Sequence, residues 1–245
     1  FSIIRNGELV FTGETTELDD KKFTYYMTGR EFDDSKFEPK NISSNPVLEV
    51  KNLFLKNSYK DIGFKVHAGE ILGITGLLDS GRSELALSLF GLLPATSGDI
   101  YIHGKKQKLN NAQDAMANKI GYVPEDRLSE GLFLPRSIAD NLIISCIDEL
   151  TNVGSILDKK KRTEVINNWV EKLEIKTDNP DNAASTLSGG NQQRIVLGKW
   201  LACNPDILIL NGPTVGVDIG SKRDIHEILQ NLAEQGMTII IISDD

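Results

Sequence analysis

The residues best suited to do chemistry lie in the segment 70–90, EILGITGLLDSGRSELALSLF. Gly76, Gly81, Arg82 and Ser83 follow the pattern Gly, any four residues, Gly, a basic residue and Ser or Thr. This pattern is typical of a phosphate-binding loop between a strand and a helix. The glycines let consecutive backbone N–H groups turn inward, and the following helix adds the positive end of its dipole. The segment therefore predicts a site for a phosphate chain.

The basic position of this loop carries Arg82, whereas such loops usually carry Lys. A planar guanidinium does not replace a compact ammonium beside a tightly packed phosphate. Two interpretations therefore stay open from the loop alone. It is either a phosphate site with one unusual residue or a Gly-rich turn without a ligand.

A second helix start with similar chemistry follows in the segment 187–202, LSGGNQQRIVLGKWLA. Ser188 is placed to cap the helix, while Gly189 and Gly190 leave its first N–H groups uncovered. The chain is thus predicted to carry two anion-receiving helix starts.

Two further polar positions follow short apolar runs. The run Ile120–Val123 ends at Glu125, and the run Ile207–Leu210 ends at Asn211 and Gly212. Parallel α/β sheets place ligand-handling residues just beyond the carboxyl ends of their strands. Glu125 is therefore well placed for chemistry just beyond the end of a strand.

The composition excludes several classes of protein. The chain has 245 residues and a formal net charge of −8, which argues against nucleic-acid binding because no basic stripe offsets it. Its two cysteines, Cys146 and Cys203, indicate neither a disulfide framework nor a zinc site. The longest apolar run, Ile239–Ile242, is too short to span a bilayer. Any link to a membrane is therefore expected through a partner.

The elements around these motifs alternate in type. Residues 1–13 predict a hairpin with a turn at 5–7, and residues 31–46 predict a linker at a domain boundary. Antiparallel strands follow at 47–55 and 62–67. A helical stretch then begins at Ser137, and strand, helix and strand close an α/β core from Ile207 to Ile242.

The order of these motifs resembles the nucleotide-binding domain of ABC transporters across 47–245. The resemblance implies an α/β fold of the P-loop NTPase type, an ABC-type ATPase core with an antiparallel β subdomain and a helical subdomain at about 137–187. The segments Gly81–Leu85, Pro124–Arg127 and Gly216–Gly220 are similar to the second, C-terminal half of the tandem ATPase subunit of bacterial ribose and galactose importers. Residues 1–46 then resemble the tail of the preceding half plus a linker, and the domain is expected to be truncated at its C-terminus. We also expect the hairpin 1–13 to dock on a vacant sheet edge at Thr238–Ile242.

The resemblance implies ATP and Mg²⁺ as cofactors. The residues it implies around the nucleotide on this half are Gly76, Asp79, Ser80, Gly81, Arg82, Ser83, Glu84, Glu125 and Asn211. Ser83 and Glu125 are the implied Mg²⁺ ligands. Ser188, Gly189, Gly190 and Asn191 would instead face the nucleotide bound on the opposite half, because two such halves pair head to tail.

The site departs from the family pattern at its catalytic positions. Asn211 and Gly212 replace the usual Asp and Glu, and Asp244 replaces the usual His. Losing a general base costs about 10² to 10⁴ in rate. We therefore assign no catalytic residue and expect this half to bind ATP weakly or not at all and not to hydrolyse it. The nearest candidate for stacking on adenine is Tyr59, which we interpret as a surface residue.

The function implied is a transport-coupled ATP-binding subunit of a simple-sugar importer. Its implied partners are the first half of the same subunit and a membrane permease, without nucleic acid and without insertion into the bilayer, on the cytoplasmic face of the cell membrane. Three alternatives stay open. The chain could be a non-catalytic docking or regulatory module, its importer could carry a nucleoside or a signalling furanose, or it could be an ABC ATPase of DNA repair or translation, which the acidic charge disfavours.

Overall fold

A computed structural model describes residues 1–5, 7–29, 42–77, 79–152 and 156–243. The strands in these ranges are β1 (Ser2–Arg5), β2 (Glu8–Thr12), β3 (Pro46–Phe54), β4 (Ile62–His67), β5 (Ile71–Ile74), β6 (Ser97–Ile102), β7 (Lys105–Gln107), β8 (Ile120–Val123), β9 (Thr151–Asn152), β10 (Ile156–Leu157), β11 (Ile207–Asn211) and β12 (Thr238–Ile242). The α-helices are α1 (Asp20–Thr28), α2 (Arg82–Leu89), α3 (Ala112–Ala117), α4 (Ile138–Ile143), α5 (Lys159–Lys172), α6 (Gly189–Leu201) and α7 (Ile219–Glu234).

A parallel sheet in the order β5-β12-β11-β8 forms the centre of the fold. Every residue of β11 is buried, as expected for a strand covered on both faces. Because the strands are parallel, the loop after β5, Glu125 after β8 and Asn211 at the end of β11 all lie at one edge. The sheet therefore assembles residues that are more than 100 positions apart in the chain.

A second, antiparallel sheet has the order β4-β3-β6-β7. Helix α4 and the segment after α5 pack on α6, and Gly198 allows them a close approach. A Cβ atom added at Gly198 would lie 2.5 Å from Cδ2 of Leu142 in α4 and 3.0 Å from Cδ1 of Leu173. The α/β core, the antiparallel sheet and the helical region confirm the predicted fold class.

Several predicted elements are confirmed to the residue, among them β4, β8 and β12. The hairpin also forms, as β1 and β2, but its predicted docking is wrong. It makes a separate two-stranded sheet, and β12 lies between β5 and β11 rather than at an edge. The vacant edge therefore does not exist at β12, because β5 pairs with it in parallel from Ile71 to Ile74. The predicted turn residue Asn6 and most of the predicted linker lie outside the described residues.

No helix within the described ranges is both long enough and apolar enough to cross a membrane.

Candidate functional site

The loop after β5 has the close packing that its glycines predict. Gly81 has φ of +88° and lies at the N-cap of α2, without a side-chain cap. A Cβ atom added there would lie 2.9 Å from Oγ of Ser58, and one added at Gly76 would lie 2.5 Å from Oγ of Ser80. Only glycine avoids both contacts, so the first N–H groups of α2 are left without a side-chain acceptor on the loop.

The side chains of this loop take different positions. Arg82 turns back on its own loop and donates a hydrogen bond to the carbonyl oxygen of Gly76. Asp79 has a left-handed backbone with φ of +62°, and the amide of Ser80 donates to the carbonyl oxygen of Leu77 at 3.1 Å. Glu84 lies in the first turn of α2.

Ser83 joins the loop to the end of β11. Its hydroxyl donates a long hydrogen bond of 3.4 Å to Oδ1 of Asn211. Both residues line a cavity of about 580 Å³ together with Tyr122, Glu125 and residues of the segments after β8 and β11. We call this the loop cavity. The structure thus brings Ser83, Glu125 and Asn211 together, as the family resemblance implies.

The floor of the loop cavity includes a buried phenol. Burial raises the pKa of Tyr122 to about 12, although a hydrogen bond with Asn211 acts to lower it. The ring of Tyr122 stacks on Phe90 with centroids 5.2 Å apart. A neutral hydroxyl and an amide therefore meet on this floor, while the carboxylates of the cavity belong to Glu125, Asp126 and Glu130.

The space beside Gly212 is filled by its neighbours. Gly212 has φ of +56°, and a Cβ atom added there would lie 3.0 Å from Cγ of Glu125 and 3.0 Å from Cγ2 of Val215. Glu125 thus lies in contact with the position that a Cβ atom of residue 212 would occupy. A side chain at position 212 would require Glu125 to move.

Asp126 also lines the loop cavity, but its carboxylate forms hydrogen bonds within its own turn. Its carboxylate accepts hydrogen bonds from the hydroxyl of Ser129 and from the amides of Leu128 and Ser129, and these bonds lower its pKa in that order. Asp126 therefore stays ionised and caps the single π-turn Arg127–Gly131.

The predicted cap at the start of α6 is wrong. Ser188 holds the N-cap position, but its hydroxyl caps no backbone N–H. Instead, Nδ2 of Asn191 donates to Oγ of Ser188 at 3.0 Å, while Oδ1 of Asn191 accepts from the amide of Lys176 at 2.9 Å. The hydroxyl of Ser188 is thus bonded to the side chain of Asn191, and it accepts no hydrogen bond from the first N–H groups of α6.

Gly189 and Gly190 are required for packing, a role that the motif alone did not indicate. A Cβ atom at Gly190 would lie 2.2 Å from Oγ of Ser221, and one at Gly189 would lie 2.8 Å from Nη2 of Arg127. Asp218, the N-cap of α7, holds Ser221 by accepting from its amide at 3.0 Å and from its hydroxyl at 2.7 Å. The start of α6 is therefore seated directly on the segment after β11.

Ser188, Gly190 and Asn191 line a second cavity of about 780 Å³, which we call the α6 cavity. Asp218 and residues of β1 and α1 complete its wall. None of the residues lining the loop cavity lines this one. The two predicted anion-receiving helix starts therefore line different cavities.

Two other predictions have different outcomes. Tyr59 is buried, 6% exposed, so its interpretation as a surface residue is wrong, and burial raises the pKa of its hydroxyl. Its ring is therefore not available to stack on a base. Asp244 lies outside the described residues.

Comparison with known proteins decides the family. The sequence profile described as "ABC transporter" matches residues 59–215, which is more than half of the chain. The chain belongs to the ABC transporter family.

Relatives and solved structures agree with this assignment. This ABC domain is 39% identical to the ribose import ATP-binding protein RbsA of Bacillus licheniformis, over 100% of this chain and 49% of that protein. It is 38% identical to RbsA of Bacillus subtilis, again over 100% of this chain and 49% of the relative. The fold matches cbiO1 from Clostridium perfringens, part of the ABC transporter complex cbiONQ, with a TM-score of 0.69, 24% identity and coverage of 82% of this chain and 80% of that one. This ABC domain thus spans about half the length of the curated relatives that it matches.

Proposed function

We propose that this chain is the second nucleotide-binding half of the ATP-binding subunit of a bacterial ABC importer for a simple sugar. Its own nucleotide site does not hydrolyse ATP. Its segment LSGGNQQ completes the site on the preceding half.

The observation that carries this proposal is the separation of the loop cavity from the α6 cavity. Ser83 lines the first and Ser188 the second, so the two anion-receiving helix starts do not form one site within the chain. Each must meet its ligand against another surface. Two copies of such a domain, paired head to tail, bring the loop of one to the α6 start of the other. This chain spans about half of each RbsA relative, and this coverage agrees with a subunit that contains another half of similar length.

The loop fits the phosphates of ATP because Gly76 and Gly81 leave no room for a Cβ atom and the first amides of α2 have no side-chain cap. Gly76, Asp79, Ser80, Gly81, Arg82, Ser83 and Glu84 would surround the phosphates. Ser83 and Glu125 would hold Mg²⁺, with Asn211 beside them. The described residues contain no cluster of three His, Cys, Asp or Glu suited to a metal. Mg²⁺ commonly binds through one or two protein ligands plus phosphates, so these donors suit it when it arrives with the nucleotide.

The loop cavity has no side chain at the position of the usual general base, although Glu125 lines it as an implied Mg²⁺ ligand. Asn211 is neutral, Gly212 has no side chain, and the hydroxyl of Tyr122 stays protonated. We assign no general base, and the loss of one costs about 3 to 5 kcal/mol of barrier. The site is therefore expected to bind ATP weakly and to leave it intact.

The proposal extends to domains and partners. Residues 1–46 belong to the tail of the preceding half plus a linker, and 47–245 form the nucleotide-binding domain, with a helical subdomain at about 137–187. The partners are the first half of the subunit and a membrane permease, which holds the subunit on the cytoplasmic face of the membrane. The names of the relatives point to ribose or a similar sugar.

Calorimetry on this chain with ATP and Mg²⁺ tests the site directly. We expect an affinity no tighter than about 1 mM, which is about −4 kcal/mol, and release of phosphate at the background level. Asn211→Ala is the control for residual activity. Hydrolysis near an ordinary enzyme rate of about 10 s⁻¹ that Asn211→Ala leaves unchanged would refute the proposal.

A further inference from the structure

Arg127 lies beside both the loop cavity and the start of α6. It follows Glu125 and Asp126 and lines the loop cavity. Its guanidinium makes a fork on the turn after β11, donating from Nη1 to the carbonyl oxygen of Val215 at 2.9 Å and from Nη2 to that of Gly216 at 3.1 Å. One side chain thus joins the strand end that carries Glu125 to the turn that follows Asn211.

The same guanidinium also touches the start of α6. Nη2 of Arg127 lies 2.8 Å from the point where a Cβ atom of Gly189 would stand, and Nη1 lies 3.2 Å from the corresponding point at Gly216. The plane of Arg127 therefore fits between two glycines on different segments. Its Nε is buried and has no hydrogen-bond partner among the described residues, so both bonds to the turn come from the Nη groups.

The far end of the same π-turn is also tied to α6. Nζ of Lys199, a buried residue of α6, donates to the carbonyl oxygen of Gly131 at 2.6 Å. Residues 127–131 are thus held at one end by Arg127 and at the other by Lys199. A shift of this turn must move the start of α6, the turn after β11, or both.

We propose that Arg127 is a positioning residue that couples the loop cavity to the start of α6. It holds Glu125, the turn 212–218 and Gly189 in one fixed arrangement. The functional consequence rests on the proposed function, in which the start of α6 serves the nucleotide on the preceding half. Arg127 then sets whether the α6 surface has the geometry to complete that site. A lysine cannot replace it, because an ammonium on a flexible stem does not present two parallel donors in one plane.

Amide hydrogen exchange on this chain tests the coupling. Arg127→Gln is expected to raise exchange about tenfold at the hydrogen-bonded amide of Gln192 in the first turn of α6 and at those of Val215 and Val217 in the turn after β11, because the tie between them is lost. Arg127→Lys is expected not to restore protection. Arg136→Gln, at an exposed arginine a few residues further along the chain, is the matched control and should leave both segments unchanged. Urea unfolding of each variant separates local from global loss of stability.

Gly189→Ala supplies an independent variant, which also serves if Arg127→Gln fails to fold. Its methyl group would displace Nη2, so it should raise exchange in residues 214–218 although it lies outside that segment. In an Arg127→Lys background, which has no Nη2, the same methyl should add less than about a twofold change. A role in packing alone predicts additive effects and rescue by Lys.

In the full-length subunit, Arg127→Gln should lower the turnover of ATP at the preceding half while its KM stays within about twofold. Unchanged exchange at the amide of Gln192 in Arg127→Gln, or full rescue by Arg127→Lys, would overturn the coupling. Coupled exchange together with unchanged turnover would support the tie and would refute the role of α6 in the partner's site, so the two proposals fail separately.

Discussion

Position 212 has no side chain, and Glu125 also fills the space that a carboxylate there would need. Cγ of Glu125 occupies the approach to position 212, and the backbone of Gly212 has φ of +56°. A residue with a Cβ atom would be strained there by its backbone and crowded by Glu125. The cavity has therefore adapted around glycine.

Restoring the usual residue should fail as a single change. Gly212→Glu is expected to lower the free energy of unfolding by about 1–3 kcal/mol, as overpacked side chains do, and to leave phosphate release at background. Combining it with Glu125→Ala should recover part of the loss, since the contact at Cγ is removed. Urea unfolding measures both, and a single Gly212→Glu variant as stable as the original chain would contradict the crowding.

Helix α6 carries more buried polar side chains than an amphipathic helix would. Of its residues, Gln192, Gln193, Arg194 and Lys199 are all buried. Arg194 donates to the carbonyl oxygens of Leu173 at 2.8 Å and Glu174 at 2.9 Å. These bonds tie the helix to the backbone of neighbouring segments, which satisfies polar groups that burial would otherwise destabilise.

Lys199 gives α6 a measurable dependence on pH. Burial lowers its pKa from 10.5 to about 8, which corresponds to about 3 kcal/mol. Between pH 8 and pH 10.5 the unfolded chain keeps a proton on Lys199 that the folded chain has released. The free energy of unfolding therefore increases as pH rises through this range, and Lys199 adds no such increase below about pH 8.

The Lys199→Met variant isolates this effect. As pH rises from 8 to 10, the original chain should become more stable relative to the variant, as judged by the free energy of unfolding. Urea unfolding at several pH values measures it, and groups common to both proteins cancel. A difference that stays constant over this range would show that Lys199 is not desolvated.

At the scale of the whole domain, the loop cavity and the α6 cavity have no lining residue in common. In the proposed pairing of two halves, the loop cavity of this half is inactive, while its α6 surface serves the active site of the other. Under this proposal the start of α6 still affects nucleotide turnover, although Asn211 and Gly212 supply no carboxylate to this half's own site.

Ser188→Arg in the full-length subunit tests this division. A bulky cation at the start of α6 should abolish sugar uptake, because it blocks the surface that faces the partner's nucleotide. Ser185→Arg, at an exposed serine three residues earlier, is the matched control and should retain uptake. Uptake that is unchanged in Ser188→Arg would contradict the role of α6.

The family resemblance implied the meeting of Ser83, Glu125 and Asn211. Local patterns in the chain were sufficient to predict the loop 76–83, the strand bounds of β8 and β12, and the place of Glu125 just beyond a strand end. Each of these depends on periodicity, on glycine spacing or on the geometry of parallel strand ends, which a few adjacent residues specify.

Contacts between distant segments needed the tertiary structure. The overlap of Glu125 with position 212, the fork of Arg127 on Val215 and Gly216, and the capture of Ser188 by Asn191 have no signature in local spacing. They arise because helices and turns with different neighbours in sequence are packed against one sheet edge, where side-chain volume and hydrogen-bond geometry decide the partners. For the same reason Tyr59 is buried and the hairpin of β1 and β2 has no free edge at β12 to join.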